Sequence, residues 1–149
     1  MNMADAIRAI DAAVVGPCVF VTGVGSHQQW AARLLTLDYP KRMLISSCGH
    51  GTMGSGLPMA IGVALTRDDP VVLINGDGSM CMDSMHLITA KEHNLNIKVF
   101  VLDNSCGGIV KQFEDLKGYK HIATEWPSPD FAMIAAAQGL GVGRTIGQT

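Results

Sequence analysis

Val71-Val72-Leu73-Ile74-Asn75-Gly76-Asp77-Gly78-Ser79 is the stretch on which the fold turns. The short, unbroken apolar run Val71–Ile74 ahead of Asn75-Gly76 reads as a strand buried on both faces, as parallel strands are. The chain repeats the arrangement downstream, where Ile97–Leu102 runs into Asp103-Asn104-Ser105-Cys106. Both are strand-to-loop corners by this reading. Ligands of open α/β sheets settle outside the carboxyl ends of the strands, so the Asp77 carboxylate and the Asn104 carboxamide are expected to converge on one site. Their hard oxygens suit Mg²⁺ or Ca²⁺. The glycines beside Asp77 let backbone approach a bulky anion. The expectation is a metal with a phosphate.

Working outward, further strands are expected at Cys18–Thr22 and Met43–Ser46. Helices are expected over Ala4–Val14, from Ser26 to about Leu37, from the glycine-rich stretch to Leu65, over Asp83–His93 and over Phe131–Gln138. Ser26 and Gln29 have the spacing of a capping box. Asp83 and Asp130 are expected as N-caps, with Met85, Leu87 and Ile88 facing inward. Strands alternating with helices predict an α/β fold, a doubly wound parallel sheet with helices on both faces. Gly139–Ile146 is read as a short final strand.

The glycine turn Gly23-Val24-Gly25 leads into Ser26-His27, a strand, turn and helix start that suits an anion. An ordinary helix start with a surface histidine fits the same residues. Gly49, Gly51, Gly54 and Gly56 crowd eight residues, more than a turn requires, and imply close approach of a ligand or another chain. Met53 lies among them and is read either as core or as support for a ligand. Ile109, Val110 and Phe113 follow the second corner, as core or as lining of a substrate pocket. Lys117–Pro129 is aperiodic and rich in aromatic, charged and proline residues, which suggests a lid or interface loop.

With 149 residues the chain is one domain long, 48% hydrophobic and 16% charged, with a formal charge of −2. Mean hydropathy of +0.24 is high for a chain without a membrane span and points to a surface covered by a partner. The charge and the lack of a basic cluster argue against nucleic acid. No apolar run reaches spanning length and no signal peptide is evident, so a cytoplasmic location is expected. Cys18, Cys48, Cys81 and Cys106 are too scattered for a zinc site or a disulfide framework. Cys18 and Cys81 are expected to be buried thiols.

Taken together, the motifs resemble the cofactor-binding (PP) domain of thiamine-diphosphate-dependent enzymes, most like the catalytic subunit of acetolactate (acetohydroxyacid) synthase. Gly76-Asp77-Gly78 with Asn104 matches that family's Gly-Asp-Gly…Asn signature. Gly25-Ser26-His27-Gln28-Gln29-Trp30 is similar to its Gly-Gln-His-Gln-Met-Trp, and Gly51-Thr52-Met53-Gly54-Ser55-Gly56-Leu57-Pro58 to its glycine-rich segment. The likeness runs from about Val21 to Gly141.

The resemblance implies thiamine diphosphate and Mg²⁺ as cofactors. It assigns Asp77 and Asn104 to the metal by side chain and Cys106 by its carbonyl. It places Ser26, His27, Gly78, Ser79 and Gly108 at the diphosphate, and Gly51 and Met53 at the aminopyrimidine. Three positions depart from the family: Ser26 stands where it has Gln, Phe113 where a Trp shapes the second-substrate pocket, and Cys106 where it has a larger polar residue. The glutamate that activates the cofactor belongs, in the family, to a separate pyrimidine-binding domain. Nothing in 1–149 resembles that domain, and Glu92, Glu114 and Glu125 lie outside any matching motif. The expectation is therefore a single cofactor domain, short at its C-terminal end and with no catalytic residue of its own. It would work in an oligomer with a pyrimidine-domain subunit or a full-length homologue on a small 2-oxo acid, by decarboxylation and carboligation. The alternatives are another thiamine-diphosphate-dependent 2-oxo acid decarboxylase, or a non-catalytic cofactor-binding or regulatory relative.

Overall fold

In a computed structural model that describes residues 1–143, four parallel strands form one sheet in the order β2-β1-β3-β4. The strands are β1 (Cys18–Thr22), β2 (Arg42–Ser46), β3 (Val71–Gly76) and β4 (Ile97–Leu102). The helices are α1 (Met3–Ala13), α2 (Ser26–Leu34), α3 (Gly56–Thr66), α4 (Asp77–Asp83), α5 (Leu87–Glu92), α6 (Gly108–Lys117) and α7 (Phe131–Ala137). The expected doubly wound parallel architecture is present.

Both faces of the sheet are covered, so β1 and β3 are buried at every position and apolar up to their carboxyl ends, where Thr22 and Asn75 stand. Val19, Val21, Val71 and Leu73 pack on one face with Leu57, Ala60 and Ile61 of α3, Met80 of α4 and Leu87 of α5. Phe20, Val72 and Ile74 pack on the other with Ile7 and Ile10 of α1 and Ala31 of α2. Arg42 ties the second layer together: its guanidinium pairs with Asp11 at 2.6 Å, donates to the Val14 carbonyl and lies 5.1 Å from the Phe20 ring centroid.

Several local expectations are corrected. β3 passes into α4 at Asp77 with no intervening loop. The helix expected over Asp83–His93 is instead the end of α4, a 3₁₀ turn at Ser84–His86 and α5. Asp83 is fully buried and caps a different helix, accepting the Leu57 N–H at the start of α3 at 3.0 Å. Leu87 does face inward, but Met85 and Ile88 are exposed because that side of the segment has no layer above it. α2 begins at Ser26 itself, with Gly25 in the N-cap position, so the capping box does not form. Cys18 is buried as expected, whereas Cys81 is exposed. Asp130 caps α7, accepting the Met133 N–H at 3.0 Å. Residues 139–143 form no strand, and the rest of the strand expected over Gly139–Ile146 lies outside the described residues. Among the described residues no helix is long and apolar enough to cross a membrane.

Candidate functional site

The chain leaves β1 toward β2 on one side and reaches β3 and β4 on the other, so the direction of winding reverses between β1 and β3. The carboxyl ends of strands flanking such a reversal form the crevice in which α/β sheets hold ligands. Three helices begin there, each directly behind its strand: α2 after β1, α4 after β3 and α6 after β4. The positive ends of their helix dipoles face this edge of the sheet, although the Gly108 N–H is already taken by the Cys106 carbonyl and the Asp77 and Gly78 N–H groups by the Asp77 carboxylate.

At the β1 and β3 ends the packing is very close. A side chain on Gly23 would bring a Cβ within 1.9 Å of Asn75 Oδ1, and one on Gly76 within 2.8 Å of the His27 ring. His27 fills the hollow left by Gly23, Gly25 and Gly76 and is only 4% exposed, so it is not the surface histidine of the simpler sequence reading. Its Nε2 has no hydrogen-bond partner. Burial lowers its pKa to about 4, against a smaller opposing effect of the Gly23 backbone, so the ring is neutral at pH 7. Asn75 donates to both oxygens of Asp83, at 3.3 and 3.2 Å, while its own Oδ1 is unpaired. Asp77, 3% exposed, occupies the first turn of α4. Gly78 follows it, and a Cβ there would stand 3.1 Å from the Met53 methyl. Ser79 is buried, and the Gly54 N–H approaches its hydroxyl at 3.5 Å.

The β4 end is built differently. The Asp103 carboxylate accepts the Ser105 N–H at 2.8 Å and holds a turn in which Ser105 takes a φ of +53°. Behind it, a Cβ on Gly108 would lie 2.9 Å from Ser26 Oγ and 3.2 Å from Asn104 Nδ2, so α6 and α2 start side by side. The Cys106 carbonyl accepts the Gly108 N–H at 3.0 Å and keeps one lone pair free. Burial pushes the Cys106 thiol up, which keeps the sulfur protonated and leaves the carbonyl as the hard oxygen at this position.

The structure thus brings Ser26, Met53, Gly78, Ser79, Asn104 and Gly108 to one edge around Asp77. Gly51 takes a φ of +62° in open space, where a Cβ would meet only Val24, at 3.9 Å. Ile109 is half-buried, and Val110 and Phe113 are exposed on α6. An open cleft of about 490 Å³ beside the site is walled by Asn104, Ser105, Cys106, Lys111, Glu125 and Trp126, and not by those three apolar residues.

Trp126 and Ser128 were not singled out from the sequence. The Trp126 indole N–H donates to Asp77 Oδ2 at 2.8 Å, and its ring lies 3.2 Å from where a Gly78 Cβ would be. Ser128 donates to Asp103 at 2.7 Å and approaches Asp77 at 3.4 Å. The available signal was an aromatic residue within an aperiodic segment, with nothing local to connect it to Asp77.

The donor set fits a hard cation. Burial raises the Asp77 carboxyl above the ordinary aspartate range; the Trp126 N–H opposes this, and the nearby Asp103 adds to the rise. Such a carboxylate gains from a positive charge at its free oxygen. Among the described residues there is no cluster of three or more His, Cys, Asp or Glu side chains. The oxygens at this edge are a mixture of carboxylate, amide and main-chain carbonyl, which suits magnesium better than zinc.

Residues 23–148 match the family described as thiamine pyrophosphate enzyme, C-terminal TPP binding domain. The chain is 42% identical over 126 residues to the acetolactate synthase isozyme 2 large subunit of Escherichia coli (strain K12), covering 83% of this chain and 23% of that protein. It is 39% identical over 150 aligned positions to the chloroplastic acetolactate synthase of Arabidopsis thaliana, covering 93% and 22%. Among solved structures, a thiamine diphosphate-dependent 4-hydroxybenzoylformate decarboxylase of Rhodococcus jostii RHA1 superposes with a TM-score of 0.83 at 22% identity, over 93% of this chain and 26% of that one. At that identity the likeness speaks for the fold alone. The chain spans about a quarter of the length of these relatives.

Proposed function

Since the chain belongs to the thiamine pyrophosphate enzymes, as a C-terminal TPP binding domain, we propose that it carries thiamine diphosphate and Mg²⁺ for an acetolactate-synthase-like reaction, with a pyrimidine-binding domain supplied by a partner. The observation that carries this reading is the convergence of three helix starts, of α2, α4 and α6, around the buried Asp77 at the reversal of the sheet. The first-turn main chain of these helices, with Ser26 and the side-chain-free Gly78 and Gly108, would bind a diphosphate. His27, neutral and wedged behind them, would hold the α2 start in place. Asp77, Asn104 and the Cys106 carbonyl would hold the cation. Met53, 42% exposed over Gly78, would support the aminopyrimidine and keep water from it. When bound, thiamine diphosphate supplies the carbanion-stabilising chemistry by which 2-oxo acids are decarboxylated and joined to an acceptor.

The three glutamates of the chain are engaged elsewhere or exposed, Glu125 alone lying at the cleft and there paired with Lys111. Glu114 accepts from Thr124 at 3.2 Å, Glu125 pairs with Lys111, and Glu92 ends α5 on the exposed surface. This supports dependence on a partner. So do the bare apolar side chains Met82, Met85 and Ile88 on one side and Val110, Phe113 and Leu116 on α6. Calorimetry with thiamine diphosphate, with the chain alone and with a pyrimidine-domain partner, tests the reading. Binding is expected only when Mg²⁺ is present; its absence in every combination would sink the proposal.

A further inference from the structure

The segment from Thr124 to Ser128 forms a strap laid along the β4 corner. Gly107 donates to the Thr124 carbonyl at 2.9 Å, Trp126 donates through its main chain to the Ser105 carbonyl at 3.0 Å, and Cys106 and Glu125 form an antiparallel bridge. The strap is thus fixed to the corner that carries Asn104, yet its indole reaches across to the corner that carries Asp77. There the N–H donates to Oδ2 at 2.8 Å, with the ring flanked by Gly78 and Gly107. An indole N–H is a donor only and cannot itself ligate a cation. Its effect is on the carboxylate: the indole engages Oδ2 and holds the rotamer, while the main chain of Asp77 and Gly78 also lies against the carboxylate, so the two oxygens are not equivalent.

We propose that Trp126 is a positioning residue that makes Asp77 a one-oxygen ligand and so sets the cation preference of the site. The proposal rests on the reading that this edge holds a divalent cation with thiamine diphosphate. Mg²⁺ requires near-octahedral geometry with single oxygens at short distance, whereas Ca²⁺ accepts longer contacts and a carboxylate bound through both oxygens. A carboxylate free to rotate and offer both oxygens would favour the larger ion. Trp126 prevents that; the Ser128 hydroxyl gives its one proton to Asp103 at 2.7 Å and lies 3.4 Å from the same Oδ2.

The test is a pair of titrations, Mg²⁺ and Ca²⁺, against the full chain with thiamine diphosphate present, under the conditions in which the wild-type chain binds it. Trp126→Phe keeps the ring and removes the donor. It is expected to weaken Mg²⁺ about tenfold, the usual cost of losing a ligand's supporting hydrogen bond, and to weaken Ca²⁺ less, so that the Mg²⁺ preference falls. Equal weakening of both ions, or no weakening of either, would overturn the proposal, since a purely structural role would not change the ratio. A second measurement covers the case in which the variant does not fold. Trp30→Phe removes the other tryptophan, on α2, and leaves Trp126 as the sole emitter. Paramagnetic Mn²⁺ at saturation must then quench that emission; unchanged emission overturns the proposal. Cofactor binding by the wild-type chain that needs no cation would overturn the functional reading as well. Cation-dependent binding with an unaltered Mg²⁺ to Ca²⁺ ratio would overturn only the role of Trp126.

Discussion

At the β1–β3 corner His27, Asn75, Asp77 and Asp83 are all nearly inaccessible to solvent, packed against glycines with no room for a Cβ. At the β4 corner, a short distance along the same edge, α6 has no buried residue at all, and the strap is held by main-chain bonds, the exposed Ser128–Asp103 pair and the reach of Trp126 to Asp77. Both corners contribute to one candidate site. The first is fixed by packing, which is stiff and intolerant of added volume. The second is fixed by hydrogen bonds that compete with water and are individually worth about 1 kcal/mol. A site of this kind has one wall set at folding and another that yields at lower cost.

The sharpest way to break this contrast is to add one methyl group to each corner. Gly23→Ala would drive a Cβ into the buried Asn75 amide and is expected to cost more than about 3 kcal/mol or to prevent folding, beyond the ordinary range for overpacking. Gly107→Ala meets the Trp126 ring at 3.4 Å and the Val110 Cβ at 3.9 Å, with no main-chain atom in the way, and is expected to stay within about 0.5 kcal/mol. Urea melts of the two variants decide. Next come the two aspartates that cap main-chain groups. Asp83→Ala strands the buried Leu57 N–H and the Asn75 amide and should cost about 3 kcal/mol. Asp103→Ala releases the Ser105 N–H and the Ser128 hydroxyl to solvent and should cost about 1 kcal/mol. Equal losses for the two would mean that the β4 corner is as rigid as its neighbour.

A third comparison uses pH. His27 has a folded pKa of about 4, below its ordinary value of 6.5, so the unfolded chain binds the proton first. The stability that goes with the neutral ring is complete above pH 6.5 and falls as the pH drops toward 4. The loss is about 2 kcal/mol by pH 5 from this one group. His27→Gln should flatten the wild-type profile of melting temperature between pH 7 and 4. Parallel profiles would show that the ring is solvated in the folded state and that the hollow among the glycines is open.

The strands and their parallel order were legible in the sequence because their signals are local. β1 and β4 fall where the strands Cys18–Thr22 and Ile97–Leu102 are expected, β2 begins one residue earlier, at Arg42, and β3 runs beyond its apolar residues Val71–Ile74 to Gly76. The helix at Asp77 was not legible. Glycine and serine there read as loop, and what forms α4 is the junction of β3 with a favourable carboxylate in a first turn. Met85 and Ile88 were assigned inward by helical period alone, a pattern that cannot distinguish a core from a face left bare for another chain. The individual site residues were recognisable as motifs, but what surrounds them was not. The glycine hollow around His27 depends on three turns brought together by the sheet, and Trp126 reaches Asp77 across 49 residues of sequence. Contacts of that kind leave no periodic trace.

The smallest expected effect concerns the outer face of α6. Val110, Phe113 and Leu116 recur at a spacing of three, so they share a stripe, and they are 54%, 61% and 72% exposed. The Phe113 ring adds little to the stability of the domain as it stands, because little of its surface is removed from water. Phe113→Ser should therefore leave the urea midpoint within about 0.5 kcal/mol of wild type. The same change should reduce association, seen as a lower weight-average mass in sedimentation as concentration rises, because a bare apolar stripe of this size favours contact with another protein surface. A loss above about 1.5 kcal/mol would mean that α6 packs against its own domain in solution. The β4 corner would then be as firmly built as the β1–β3 corner, and the yielding wall of the site would have to be sought in the strap alone.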